Sequence, residues 1–320
     1  MGRRENTRSG RHIPTAVLIE DGIRFSIREG ALLSRRRLMT GSLLLAPALL
    51  ARPAVSQDGD DGVQRRLAAL EQKHGGRLGV AILDTAKARP VAYRGDERFP
   101  LCSTFKYLAA AFVLARVDRN EESLSRRIRY AKEDLVTHSP VTEKHVGDGM
   151  TVAAICDAAV TLSDNTAGNL MLDSFGGPAG FTAFMRSLGD DVTRLDRRET
   201  ALNEARPGDP RDTTSPLAML ASINKLSLGD TLSAASREQL NAWIVANKTG
   251  DARLRAGVPK DWRVGDKTGT GDNNTANDIG ILWPPGRPPI IVTAYYTQSR
   301  ASCDERNAVI AEIGRLAATM

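Results

Sequence analysis

The run 105–117 constrains the fold most. It carries Leu108, Phe112, Val113 and Leu114 among alanines and is apolar almost all the way round. A helix with no polar face cannot lie on a surface, so the chain must fold around it. On its N-terminal side, 78–83 and 91–94 read as two strands around a turn at 84–90, preceded by an amphipathic helix over 65–73. At the far end, 262–265, 278–283 and 290–296 read as three strands with Gly, Pro and Asn in the turns, and 305–320 returns to helix. The middle, about 120–245, has a helical pattern with loops at 147–150 and 206–216. Strands at both ends with helices between predict an α/β fold. A mostly antiparallel sheet is formed by both chain termini and flanked by helices, an all-helical lobe is inserted, and the active site lies in the cleft between them. The α/β lobe would take about 57–101 and 246–320, and the helical lobe about 102–245.

Composition narrows the class. With 320 residues, 41% hydrophobic and 26% charged, the chain is neither collagen-like, nor disordered, nor a polytopic membrane protein. Its net charge of +6 invites a nucleic-acid reading, but residues 1–56 hold ten arginines against four acids, which accounts for all of it. The remaining 34 basic and 34 acidic residues cancel, so a basic groove is not expected and no nucleic-acid partner is predicted.

Residues 1–56 read as a leader. Arg35, Arg36 and Arg37 precede the apolar run 41–50, too short to span a membrane and preceded by the positive charge of an export signal. The arginine pair resembles a twin-arginine signal, which makes the machinery that exports folded proteins an expected partner. Ala54, Val55 and Ser56 are small enough for signal cleavage, predicting a mature start near Gln57 and a periplasmic or secreted protein. Residues 1–33 are an over-long n-region or the product of an upstream start. Three cysteines, Cys102, Cys156 and Cys303, allow at most one disulfide. A catalytic chain of this kind is expected to be a monomer.

Chemistry is expected where the apolar helix begins. Ser103 and Lys106 stand three apart on one helical face, so a desolvated lysine could serve the serine as a base. Ser103 could equally be a helix N-cap, and Ser222 and Lys225 repeat the spacing. Ser163-Asp164-Asn165 and Lys267-Thr268-Gly269 also have copies, at Ser222-Ile223-Asn224 and Lys248-Thr249-Gly250. Context separates the last pair. Lys267 continues a strand whose edge could pair with a bound amide, whereas 248–250 follows a helical stretch and reads as a glycine stop. Glu199 and Asn203, four apart, could hold a water between them, and Arg197 with Asp212 could clasp the loop that follows. His12, His74, His138 and His145 have no ligand spacing, so no metal or other cofactor is expected.

The order Ser103…Lys106, Ser163…Asn165, Glu199…Asn203 and Lys267…Gly269 resembles the class A serine β-lactamases over essentially the whole mature chain. Ser139-Pro140-Val141-Thr142-Glu143-Lys144 and Gly265-Asp266 add to the likeness. The resemblance implies hydrolysis of penicillins, and of cephalosporins too, giving antibiotic resistance. Ser103 would form the acyl-enzyme, with the backbone N–H groups of Ser103 and Thr270 as oxyanion hole. Lys106 or Glu199, through a water, would deprotonate Ser103, and Ser163 would pass a proton to the leaving ring nitrogen. Asn165 would bind the substrate side-chain amide. Lys267, Thr268, Gly269 and Arg253 would meet its carboxylate, and Glu199 with Asn203 would aim the deacylating water.

Departures from the family pattern mark points to inspect. Thr200 stands where many members have proline after a cis bond, so the loop must hold that bond otherwise or take another path. Arg198 replaces a frequent aromatic residue, and His138 sits at a cleft-rim position often held by one. Cys102 is shared with a carbapenem-hydrolysing subgroup, but its usual partner position is Gly271. That bridge cannot form, so carbapenem hydrolysis gains no support. A D-alanyl peptidase with the same core is the nearest rival and is disfavoured by Glu199 and Asn203. A non-hydrolytic β-lactam receptor would need a membrane span and a signalling domain.

Overall fold

The apolar run is a helix at the centre of the protein. The computed structural model describes residues 57–87 and 89–320, and all residues from 105 to 111 are buried. The segment read as a leader with an export signal, 1–56, lies outside the described residues. In chain order, α1 (Gln57–His74) is followed by β1 (Arg77–Asp84), β2 (Val91–Tyr93) and β3 (Phe99–Pro100). Next come α2 (Phe105–Asp118), β4 (Arg127–Ile128), β5 (Met150–Thr151), α3 (Val152–Thr161), α4 (Asn165–Ser174) and α5 (Gly177–Ser187). The chain continues through β6 (Thr213–Thr214), α6 (Pro216–Ile223), α7 (Ala234–Val245) and α8 (Leu254–Gly257). It ends with β7 (Arg263–Gly271), β8 (Thr275–Trp283), β9 (Ile290–Thr297) and α9 (Cys303–Ala318).

The sheet is built from both ends of the chain, as expected. Its order is β2-β1-β9-β8-β7 and each pairing is antiparallel. β9 is buried along its whole length, so its sequence lacks the alternation of a half-exposed strand. One face packs Val80, Ile82, Val292 and Ala294 against Leu67 of α1 and Ile310 and Ile313 of α9. The other turns Ala81, Ile279, Ile281 and Tyr295 toward the helical insertion. There α2 is enclosed by α3, α4, α5 and α7. Phe112 stacks on Phe184 with centroids 4.3 Å apart, and Phe105 meets Phe181 edge-on. The insertion is helical apart from two-residue ladders, β4 with β5 and β3 with β6.

Side-chain oxygens start the helices around the site. Thr151, Asp164, Ser215 and Ser233 each accept from a backbone N–H in the first turn of the helix they precede. α2 has no such cap, because the hydroxyl of its N-cap residue, Thr104, donates to Leu101 O instead. β7 ends the sheet, and no strand among the described residues pairs with its outer edge. That edge packs beside the residues that lead into α2.

Candidate active site

Ser103 lies in a 3₁₀ turn, Cys102–Thr104, just ahead of α2. Its Oγ accepts from Lys106 Nζ at 3.0 Å and donates to Glu199 Oε1 at 3.4 Å. Lys106 has four acceptors in reach: Ser103 Oγ, Ser163 O at 2.9 Å, Asn165 Oδ1 at 2.5 Å and Glu199 Oε1 at 2.8 Å. An ammonium has three hydrogens. Two go to the carbonyl oxygens of Ser163 and Asn165, which can only accept, so Ser103 and Glu199 compete for the third. A small proton shift within this triangle therefore leaves the serine facing either a lysine lone pair or a carboxylate. Burial pushes the Lys106 pKa below its ordinary value, and the Glu199 carboxylate opposes that shift.

Glu199 is held from both sides. Asn203 Nδ2 donates to Glu199 Oε2 at 2.5 Å, leaving the buried Asn203 Oδ1 without a partner among the described residues. Asn169 accepts from the Glu199 N–H and donates to its carbonyl, both at 3.0 Å. The Glu199–Thr200 peptide is cis although residue 200 is not proline. Arg198 forms an ion pair with Asp173 on α4. Arg197 Nε donates to Asp212 Oδ2 at 2.6 Å, and Asp212 Oδ1 accepts the N–H groups of Asp196 and Arg197, closing the loop as its charges suggested.

Ser163 has φ +58°, a left-handed conformation uncommon for serine, and its Oγ accepts from Lys267 Nζ at 3.0 Å. Asp164 serves structure. Besides capping α4, it accepts the N–H groups of Val141 and Thr142 and the Thr142 hydroxyl. Asn165 Nδ2 donates to Thr137 O at 2.8 Å and keeps one hydrogen free for a ligand carbonyl. Lys267 is wholly buried, and desolvation together with the Lys106 charge lowers its pKa to about 7. Arg253 donates to Gly269 O, Asn277 O, Asn307 Oδ1 and Thr270 Oγ1, so it braces the β7 rim as well as adding charge. Burial lowers its pKa from the usual arginine value, and Asp278 opposes that shift.

These residues converge on one cavity of about 330 Å³, lined by Ser103, His138, Ser163, Asn165, Asn203, Arg253, Thr268 and Thr270 together with Thr249. His138 is exposed there, with Nε2 3.1 Å from Leu162 O. A larger cavity of about 480 Å³ lies between Arg77, Arg98, Pro207, Asp209 and Gln298. No serine or cysteine lines it, so size alone would mislead. Ser222 and Lys225 lie apart from the site: Ser222 donates to Asp190 and Lys225 to Leu188 O.

One reading needs correction. The Lys248-Thr249-Gly250 copy is not a helix stop: α7 ends at Val245 with Ala246 as its cap, and Thr249 Oγ1 lies 2.5 Å from Thr268 Oγ1. Gly250 is needed for close approach, since a Cβ there would stand 1.7 Å from Asp266 Oδ2. Asn169 and Asn247 also escaped the sequence reading. Asn169 was accessible to it, being one turn beyond Asn165 on the same helix face. The three cysteines are free, and Cys102 Sγ would lie 2.7 Å from a Cβ at Gly271, the position that lacks the bridging partner.

A buried serine with a lysine and a carboxylate in hydrogen-bond reach has the geometry of an activated acyl-transfer nucleophile. The chain belongs to the β-lactamase enzyme family, whose model matches residues 62–319. It is 48% identical over 270 residues to β-lactamase OXY-1 of Klebsiella oxytoca, covering 84% of this chain and 92% of that protein. It is 47% identical over 285 residues to β-lactamase CTX-M-8 of Citrobacter amalonaticus, covering 88% and 96%. Among solved structures, an ancestral class A β-lactamase is 68% identical with a TM-score of 0.79, covering 79% of this chain and 98% of that one. The fold is that of the class A enzymes.

Proposed function

We propose that this protein hydrolyses the β-lactam amide of penicillins and cephalosporins, and so confers antibiotic resistance, through an acyl-enzyme on Ser103. The observation that carries the reading is that Ser103 Oγ touches Lys106 and Glu199 at once. Ser103 attacks the lactam carbonyl, its proton passing to Lys106 or to Glu199. The carbonyl oxygen becomes anionic against the backbone N–H groups of Ser103 and Thr270, where each donor contributes about 10²–10³ in rate. The C–N bond breaks as Ser163 passes a proton to the ring nitrogen, and the proton taken from Ser103 replaces it by way of Lys106. Glu199 is thus ionised again, and Lys267, which donates to Ser163 Oγ at 3.0 Å, keeps its charge. Glu199 then removes a proton from a water whose second anchor is Asn203 Oδ1. The water oxygen adds to the ester carbonyl, and the proton passes to Ser103 Oγ as its bond to the acyl carbon breaks.

Asn165 binds the substrate side-chain carbonyl, His138 forms part of the rim, and Lys267, Thr268 and Arg253 with the Gly269–Thr270 backbone receive the carboxylate. The enzyme works as a monomer, exported to the periplasm or beyond by the twin-arginine route after cleavage near residue 56. The arginines and apolar run of the leader support this part of the reading.

The test uses residues 57–320 with excess benzylpenicillin and a chromogenic cephalosporin, following product and intact-protein mass together. Many turnovers per enzyme, abolished in Ser103→Ala, are expected. One equivalent consumed with a lasting adduct on Ser103 would instead favour a peptidase or receptor. Fractionation of cells carrying the full chain, with and without Arg35 and Arg36 changed to lysine, tests the export route.

A further inference from the structure

Thr249 enters the site through a chain of hydrogen bonds whose directions can be worked out. Arg255 Nε donates to Asp266 Oδ1 at 2.5 Å, and Asn247 Nδ2 donates to Asp266 Oδ2 at 2.9 Å. The carboxylate therefore fixes which way the Asn247 amide faces, with Oδ1 turned toward Thr249. That oxygen accepts both the Thr249 N–H at 3.1 Å and the Thr249 hydroxyl at 2.9 Å. The only hydroxyl proton of Thr249 is thereby committed. In the 2.5 Å contact with Thr268 the proton must then come from Thr268. The Thr268 hydroxyl thus points at Thr249.

A carboxylate can only accept, so Thr268 must turn its proton outward to bind one. If Thr249 kept its own proton on Asn247, two oxygens at hydrogen-bond distance would face each other with lone pairs alone. Thr249 removes the conflict by rotating about its Cβ–Oγ1 bond and donating to Thr268, while its backbone N–H stays on Asn247 Oδ1. The resulting chain, Thr249 to Thr268 to carboxylate, makes Thr268 the stronger donor, since hydrogen bonds in series polarise one another.

We infer that Thr249 is a positioning residue for the substrate carboxylate, its hydroxyl holding Thr268 in the free enzyme and supporting it in the complex. The inference rests on the reading of Lys267 and Thr268 as the carboxylate site. It makes Thr249 a determinant of preference for β-lactams that carry a free acid beside the ring nitrogen over those that do not.

The experiment compares benzylpenicillin with its methyl ester on Thr249→Val and Thr249→Ser. Thr249→Val is expected to raise KM for the acid roughly 3- to 10-fold, the worth of one hydrogen bond. The kcat should stay within about twofold and the ester constants should not move. Thr249→Ser keeps the hydroxyl and should restore KM. An equal rise for acid and ester, or no rise for the acid, overturns the inference. Thr268→Val separates the two levels, because it should weaken the acid more than the ester. If it weakens acid and ester equally, the carboxylate reading itself fails.

Discussion

Lys106 Nζ stands 2.8 Å from Glu199 Oε1, and both side chains are wholly removed from water. Each charge makes the other tolerable, because an isolated buried ion of either sign would be strongly disfavoured. The pair also flanks Ser103, so the two chemical steps draw on one electrostatic unit.

Removing the carboxylate separates those steps. In Glu199→Gln the lysine loses the charge that opposes its desolvation, so its pKa falls further and it stays competent to take the Ser103 proton. The deacylating base is gone, which costs roughly 10²–10⁴ in rate. Mass spectrometry should find a persistent adduct after mixing with benzylpenicillin. Unchanged turnover would remove Glu199 from the role of base.

Asn169 holds the backbone of Glu199 by both its N–H and its carbonyl. Asn169→Leu leaves both groups buried without those partners, at about 1–3 kcal/mol each. A lower melting temperature is expected. Single-turnover kinetics should show deacylation slowed more than acylation, because the carboxylate loses its position before Ser103 does.

The pKa of about 7 at Lys267 sets a pH limb. Below that value the ammonium is present and attracts the substrate carboxylate. Above it the free enzyme loses the charge, so kcat/KM for a free-acid penicillin should decline as pH rises past about 7, while Arg253 keeps part of the attraction. A methyl ester should lack this limb. Stability runs the opposite way. The depressed folded pKa means the unfolded chain binds more protons between about 7 and the ordinary lysine value of 10.5, so the contribution of this group grows as pH rises through that window. A pH series of kcat/KM for acid and ester checks the first statement.

Gly271 is packed between Cys102 and the catalytic loop. A Cβ there would lie 2.7 Å from both Cys102 Sγ and Asn203 O. Gly271→Ala should destabilise the protein by about 1–3 kcal/mol through overpacking. By displacing Asn203 it should also slow deacylation. Adding Cys102→Ala should recover part of the stability and little of the deacylation rate, since the clash with Asn203 O remains. Thermal melts and burst kinetics on the two variants test this.

The sequence by itself determined the layout. An all-round apolar helix had to be central, and β-rich segments at both ends had to meet, so the insertion and its cleft followed from burial alone. The order of Ser103, Lys106, Ser163, Asn165, Glu199, Asn203 and Lys267 carried the likeness to the class A enzymes, and the structure brings all seven together. Duplicate short motifs were beyond it. Ser222 and Lys225 have the spacing of Ser103 and Lys106 yet reach Asp190 and Leu188 O, because α6 and the helical turn that follows it, Asn224–Leu228, direct them away from the cleft. Thr249 has the local appearance of a helix end, but the chain leaving α7 runs against β7 and lays its hydroxyl on Thr268. Spacing along the chain fixes which residues share a face. Which faces then meet is decided only by packing between distant elements, and at this site that packing recruits Thr249, Asn247 and Asn169.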